Sequence, residues 1–138
     1  MLSISIVYVA RAYDGPLPVS KALLIAAFVS HRRLLDHLSR KNVTRPTIEK
    51  LLVERMDCFA NFNARFYDNL CESINAIQFL VDVEIASIEG RSLRLIKDLP
   101  ADSGLGKRAQ KIEKAASNIA FLLNHKSSDI YSSLRVQV

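Results

Sequence analysis

The chain has 138 residues, of which 49% are hydrophobic and 24% are charged. These values are typical of a globular protein, and the length fits a single domain over residues 1–138. Nineteen Lys and Arg oppose 14 Asp and Glu, so the formal net charge of +5 favours an acidic partner, either nucleic acid or an acidic protein surface.

The N-terminus and the cysteines narrow the class of protein further. The apolar run in 1-MLSISIVYVARAYDG-15 lacks a basic start and is far too short to span a bilayer, so we expect neither a signal peptide nor a membrane segment. We therefore expect the protein in the cytoplasm. Cys58 and Cys71 lie in apolar, helical surroundings without a close Cys or His, which predicts two buried reduced thiols rather than a disulfide or a metal site.

The first third of the chain is predicted to be helical, with one break. Residues 2–13 fit a strand by residue type and a helix by spacing, and we favour the helix. One Gly and two Pro interrupt the chain at 14-DGPLP-18. The segment 19–42 predicts one helix, which is apolar all round over residues 22–29 and therefore buried on most sides there.

A second helical region follows a short turn, with Thr44 or Thr47 in position to cap it. Apolar residues then recur at helical spacing over residues 48–81. A single long helix or a coiled coil is one interpretation of this repeat. We favour two or three helices, with turns near 57–63 and 68–69, because Asn and Asp prefer caps and turns to helix interiors.

The stretch 83-VEIASIEGRSLRLI-96 departs from the helical pattern. Its apolar residues change from a period near 3.6 toward a period of 2, which is typical of strands. Gly90 supplies the positive φ that a tight turn needs at its centre. We therefore predict a β-hairpin, which must lean on the helices because two short strands are marginally stable alone.

The C-terminal part is predicted as a loop over 98–106, an amphipathic helix from Lys107 to Asn124, and a short final helix capped by Ser127 or Ser128. The fold class is therefore mainly α: a compact helical domain with one β-hairpin, placed like the wing of a winged-helix domain, and a C-terminal amphipathic helix. The apolar face of that amphipathic helix consists of Ile112, Ala115, Ala116, Ile119, Leu122 and Leu123.

Catalytic motifs are not found in the sequence. It contains no GxGxxG loop, no HExxH and no GxSxG, and 103-SGLG-106 lacks the hydroxyl that a P-loop places on Mg²⁺. His31 and His37 are six residues apart, which places them on different sides of one helix and prevents a shared metal. The i, i+4 carboxylates Asp68 and Glu72 are more often a solvated face than a cation site. We predict no catalytic residue, no cofactor and no metal ligand, and hence no enzyme.

Two basic features are the candidate contacts with DNA or with a protein partner. Lys and Arg neutralise phosphates and release counterions, although an ordinary solvated face is the alternative for each feature. The first feature is the hairpin, with Arg91 and Arg94, followed by Lys97. The second feature is the start of the C-terminal helix, with Lys107, Arg108, Lys111 and Lys114. Neither set of side chains suggests the reading of bases.

The order of these parts resembles a known family. A Pro-Leu-Pro break before an apolar helix (residues 16–38), helices that lead into the hairpin (residues 62–95), an amphipathic helix (residues 107–123) and the segment 130-IYSSLRV-136 carry the resemblance. On these patterns the chain resembles the small middle component of bacterial three-component ABC defence systems, the group that includes the small subunit of Lamassu. It departs from that family in lacking Trp and in a poorly matched stretch over residues 42–56.

The resemblance implies an adaptor in an anti-phage or anti-plasmid complex. Such a subunit bridges an SMC- or Rad50-like ABC ATPase to an effector nuclease, and it holds the effector inactive until foreign DNA is sensed. ATP and catalysis then belong to the partners, and DNA contact is indirect or non-specific.

Two other functions fit the residues without the resemblance. The helix-to-hairpin order and the positive charge also fit a winged-helix DNA-binding protein, such as a small regulator. An all-helical interaction module, for example of a toxin–antitoxin pair, is the third interpretation.

Overall fold

The computed structural model describes residues 2–97 and 106–136 of the chain. Within those residues the fold is mainly helical, with a hairpin and a C-terminal amphipathic helix, which confirms the predicted fold class. The described elements in chain order are α1 Leu2–Ala12, β1 Leu17–Pro18, α2 Val19–Ala22, α3 Ile25–Val29, α4 Arg32–Leu38, α5 Ile48–Glu54, α6 Met56–Phe59, α7 Phe62–Asp68, α8 Leu70–Asp82, β2 Ala86–Glu89, β3 Ser92–Leu95, α9 Lys107–Leu122 and α10 Ser127–Ser133.

Helices α1 and α9 pack against each other at the centre of the core. The residues from Ser5 to Ala10 are all buried, which explains why the sequence of α1 has no polar face and also fits a strand by residue type. The helix that we favoured for residues 2–13 is confirmed. Every residue of the predicted apolar face of α9 is buried, and each fully buried Ile or Leu contributes about 1.5–3 kcal/mol.

The single helix predicted over residues 19–42 is wrong, because the chain forms α2, α3 and α4 instead. The decisive break is at His31, whose backbone is extended (φ −94°, ψ 109°). The imidazole Nδ1 of His31 accepts a hydrogen bond from the backbone N–H of Leu34, at 3.2 Å. His31 thus acts as the N-cap of α4, and this local bond replaces the continuation of α3.

The helical repeat over residues 48–81 forms four helices, α5 to α8, rather than two or three. The predicted turns near 57–63 and 68–69 are confirmed, and a further break lies at Arg55 (φ −131°). Arg65 stabilises the break between α6 and α7, since its guanidinium donates to the carbonyls of Ala27 (3.2 Å) and Cys58 (2.8 Å). Thr47 caps α5 by accepting from the N–H of Lys50, as predicted.

The predicted hairpin is confirmed as β2 and β3, with Gly90 at φ 66° in the turn. Its first strand begins at Ala86 rather than at Val83, because Glu84 adopts a positive φ of 61° just before it. Strand β1 pairs antiparallel with β3, so that the sheet has the order β1-β3-β2. The sequence indicated only a break there, because two residues are too few to show an alternating pattern.

Helix α10 is hydrogen-bonded to Ser20 at the start of α2. Tyr131 donates from its hydroxyl to the carbonyl of Ser20 (2.6 Å), and the hydroxyls of Ser20 and Ser127 are 2.9 Å apart. The predicted Ser cap is wrong, because Lys126 occupies the N-cap position and Ser127 bonds to Ser20 instead. The single domain over residues 1–138 stays a prediction, and of the predicted loop 98–106 residues 98–105 lie outside the described part.

Candidate functional site

The basic residues of the hairpin lie on its outward face and in its turn. Arg91 is exposed in the turn, and Arg94 projects from β3 on the face opposite the buried Leu93. The guanidinium of Arg94 lies 3.4 Å from the carboxylate of Glu89 on the neighbouring strand. This pair is exposed and therefore weak, but it neutralises one of the two hairpin arginines.

A groove of about 580 Å³ lies beside Leu93, Arg94 and Leu95 of β3. Arg11 from α1 and Lys97 line it together with Arg94. The charge of Arg11 is also neutralised, since its guanidinium lies 3.9 Å from Glu113 of α9. We call this surface the hairpin surface, and its cations are Arg11, Arg91, Arg94 and Lys97. It combines cations with nearby carboxylates.

The basic residues of α9 lie in its first two turns. Lys107, Arg108 and Lys114 are exposed, and Lys111 is half-buried. The ammonium of Lys111 lies 2.6 Å from the carboxylate of Asp36 on α4. This hydrogen bond lowers the pKa of the Asp36 carboxyl below its usual value.

A second groove, of about 430 Å³, lies between α9 and the α3–α4 junction, and it is bordered by Lys107, Arg108 and Lys111. Its apolar floor is formed by Val29 and Leu35, both buried. Its rim is cationic, and among the described residues Asp36 is the acidic side chain that lines it. We call this surface the basic groove, and its cations are Arg32, Lys107, Arg108 and Lys111.

The structure therefore separates the candidate contact residues that were predicted from the sequence. Lys107, Arg108 and Lys111 come together, whereas Lys114 does not line the basic groove. Arg91 and Arg94 belong to the hairpin surface, and none of the described residues lines both grooves.

Sequence analysis missed Arg32, which completes the basic groove. The only signal was the run 31-HRR-33 directly after an apolar segment. This run predicts a part of the groove only if the contact between α4 and α9 is known. Two residues that form this contact, Asp36 and Lys111, are 75 positions apart in the sequence.

Comparison with protein families identifies a match over residues 5–138, to the ABC-three component (ABC-3C) system Middle Component 3 family. The chain belongs to this family. The match covers both basic surfaces, and it includes the stretch 42–56 that fitted the resemblance poorly. The resemblance to a middle component of three-component ABC systems is thereby confirmed. No curated protein and no solved structure matches this Middle Component 3 chain.

The two cysteines of this Middle Component 3 chain lie in different surroundings. Burial raises the pKa of the Cys58 thiol, which makes it a poor nucleophile. Cys71 is exposed, so the prediction that both thiols are buried is wrong. It lies on the side of α8 opposite the buried residues Ser73, Ala76, Ile77 and Leu80.

The remaining features concern histidines, metals and membranes. Burial lowers the pKa values of both His31 and His37.

Over residues 2–97 and 106–136, no group of three or more His, Cys, Asp or Glu side chains is arranged to hold a metal ion. In the same residues no helix has both the length and the apolarity needed to cross a bilayer. Of the faint phosphate-loop motif 103–106, only Gly106 belongs to the described part.

Proposed function

We propose that the chain is a non-catalytic adaptor that bridges an SMC- or Rad50-like ABC ATPase to an effector nuclease. The complex would be a Lamassu-type anti-phage or anti-plasmid system that senses foreign DNA. The observation that carries the proposal is the family match over residues 5–138, because it assigns the chain to a middle component of a multi-component system. ATP hydrolysis and cleavage then belong to the partners, and the complex acts in the cytoplasm.

The surface of the chain supports a binding role. An adaptor needs at least two separate contact surfaces, and the basic groove provides one candidate. Large apolar side chains are also exposed, with Val53 at 81% and Met56 at 69% accessible on neighbouring helices. Exposed apolar groups that lie close together are typical of interaction sites.

Purification from the native operon tests the adaptor function. A tagged copy of this chain, expressed with the neighbouring genes, should recover an ABC ATPase subunit and an effector subunit in one size-exclusion peak. Recovery of the chain alone, at salt low enough to keep polar interfaces intact, would contradict the proposal.

A winged-helix DNA-binding protein is the second candidate function. It is supported by β1, which pairs with β3 and so anchors the hairpin to the helical body. It is opposed by the ion pair between Arg94 and Glu89, which reduces the positive charge of the hairpin. A salt-dependent affinity for duplex DNA that falls in Arg91→Ala and Arg94→Ala would favour it, and no binding even at low salt would dismiss it.

A further inference from the structure

We propose that the basic groove binds an acidic, amphipathic peptide segment of a partner subunit. This inference rests on the adaptor function proposed above and adds the chemistry of the contact. The groove combines a buried apolar floor, Val29 and Leu35, with a cationic rim. A segment that carries one or two aliphatic or aromatic side chains between carboxylates matches both parts.

Within the described residues, carboxylates form a salt bridge with only part of the cationic rim. Asp36 is bonded to Lys111 at 2.6 Å, so one cation of the groove already has its partner. Within residues 2–97 and 106–136, no carboxylate forms a salt bridge with Arg32, Lys107 or Arg108. These three cations therefore line the groove without a salt bridge to the described part of the chain, although the charge of Asp36 also acts on Arg32.

The position of two of these cations strengthens the argument. Lys107 and Arg108 form the first turn of a 16-residue helix, which carries no acidic residue there. The N-terminus of a helix has a partial positive charge, so two cations at this place repel the helix dipole. A carboxylate brought by a partner would interact favourably with both the cations and the helix N-terminus.

The floor favours a peptide over a nucleic acid backbone. Phosphates and sugars gain nothing from contact with Val29 and Leu35, whereas an aliphatic or aromatic side chain of a peptide is stabilised by burial there. A neighbouring cavity of about 340 Å³ shares Val29, Ser30 and Arg108 with the basic groove. The two together leave room for several consecutive residues of an extended or helical segment.

Charge reversal of the rim tests the inference in the purified complex. Lys107→Glu with Arg108→Glu should weaken binding of the partner subunit by about tenfold or more at roughly 0.15 M salt. The matched control Arg91→Glu with Lys97→Glu makes the same change of net charge on the hairpin surface, and its loss should stay below about threefold. Equal losses in both variants would overturn the inference, because attraction would then depend on net charge alone.

Folding of the groove variant must be checked in the same experiment. Glutamate at the first turn of α9 complements the helix dipole, so the melting temperature should equal or exceed that of the wild type. Lost binding together with a retained melting temperature supports the inference. Full binding by the folded groove variant overturns it.

A photo-crosslinking amino acid at Ser30 identifies the occupant, because Ser30 is exposed and lines both cavities. We expect cross-links to a partner segment that is net negative and contains Leu, Ile or Phe. Cross-links to duplex DNA, to a second copy of this chain or to a segment without acidic residues would overturn the inference while the adaptor function stands. If no complex forms at all, the adaptor function fails and the inference fails with it.

Discussion

The two basic surfaces have similar residues and different neighbours. On the hairpin, Arg94 faces Glu89 on the next strand, and Arg11 beside it faces Glu113. In the basic groove, Lys107 and Arg108 border an apolar floor, and neither forms a salt bridge with a carboxylate of residues 2–97 or 106–136. The difference shows that a formal charge of +5 says little about where a basic protein binds, because nearby carboxylates neutralise some cations and leave others available.

Asn118 connects α9 to the end of α4, the helix whose earlier residues line the basic groove. Its buried side-chain amide donates from α9 to the carbonyl of Leu38 at 2.8 Å and to that of Val43 at 2.9 Å. These bonds hold the C-terminal end of α4 and the turn after it against α9. The two helices that border the basic groove are thus held together from within the core, whereas the hairpin groove lies beside a short sheet.

The largest effect on stability is expected for Asn118→Ala. Two carbonyls lose their donor, so the free energy of unfolding should fall by about 1–3 kcal/mol in urea denaturation. The control Ser117→Ala changes an exposed residue of the same helix and should stay within about 0.5 kcal/mol of the wild type. A loss in Asn118→Ala no greater than in this control would show that the amide does not hold α4 against α9.

The second prediction concerns pH and the His31 cap beside the groove. Burial, with a smaller effect of the Arg65 charge, lowers the pKa of His31 below its usual 6.5, and burial also lowers that of His37. The unfolded chain therefore takes up protons near pH 6.5 that the folded chain does not. The stability that depends on the neutral imidazoles is complete above that pH and is lost as the pH falls through the lowered values.

Urea midpoints measured between about pH 8 and pH 5 check this prediction. The wild type should become less stable as the pH falls below about 6.5, before the carboxylates begin to titrate. In His31→Asn the cap is kept without a titrating ring, so this part of the pH dependence should become smaller. An unchanged profile in His31→Asn would contradict the assignment of the effect to the cap.

Asp36→Asn tests the balance of charge in the basic groove with a smaller effect on stability. The salt bridge to Lys111 is 37–45% exposed, so its loss should lower the urea midpoint only slightly. Removing the carboxylate leaves Lys111 available to an acidic partner, so binding of the partner subunit should become tighter. Weaker binding in Asp36→Asn would mean that Asp36 itself contacts the partner.

Glu89→Gln should have the smallest effect, because it breaks an exposed ion pair on the hairpin. We expect a change in stability of at most about 0.5 kcal/mol and unchanged binding of the partner subunit. Fluorescence anisotropy with duplex DNA is the second readout, and we expect no gain in affinity from the freed Arg94. A clear, salt-dependent gain would favour the winged-helix interpretation, and the hairpin surface rather than the basic groove would then be the main binding surface.

Local sequence patterns predicted the helices and the hairpin because each depends on neighbouring residues. The apolar face of α9 follows from helical spacing, and the turn at Gly90 follows from its conformational freedom. The break at His31 was missed because a His side chain rarely replaces Ser, Thr, Asp or Asn as a cap. The two-residue strand Leu17–Pro18 was missed because its partner lies in a distant hairpin.

The candidate site was predicted only in part, for a different reason. The charges of Lys107, Arg108 and Lys111 are visible in the sequence, but whether they are available for binding depends on which side chains pack beside them. Arg32 and the apolar floor reach the groove through the contact of α4 with α9, which local patterns do not encode. The neutralisation of Arg94 by Glu89 likewise depends on strand register.

The most direct measurement asks whether the ATPase and the effector associate without this chain. The two partner subunits from the native operon are mixed with and without it, and their association is followed by size-exclusion chromatography. We expect the ATPase and the effector to elute together only when the chain is present. Equal association in its absence, or a chain that binds neither subunit, would contradict its role as the bridge.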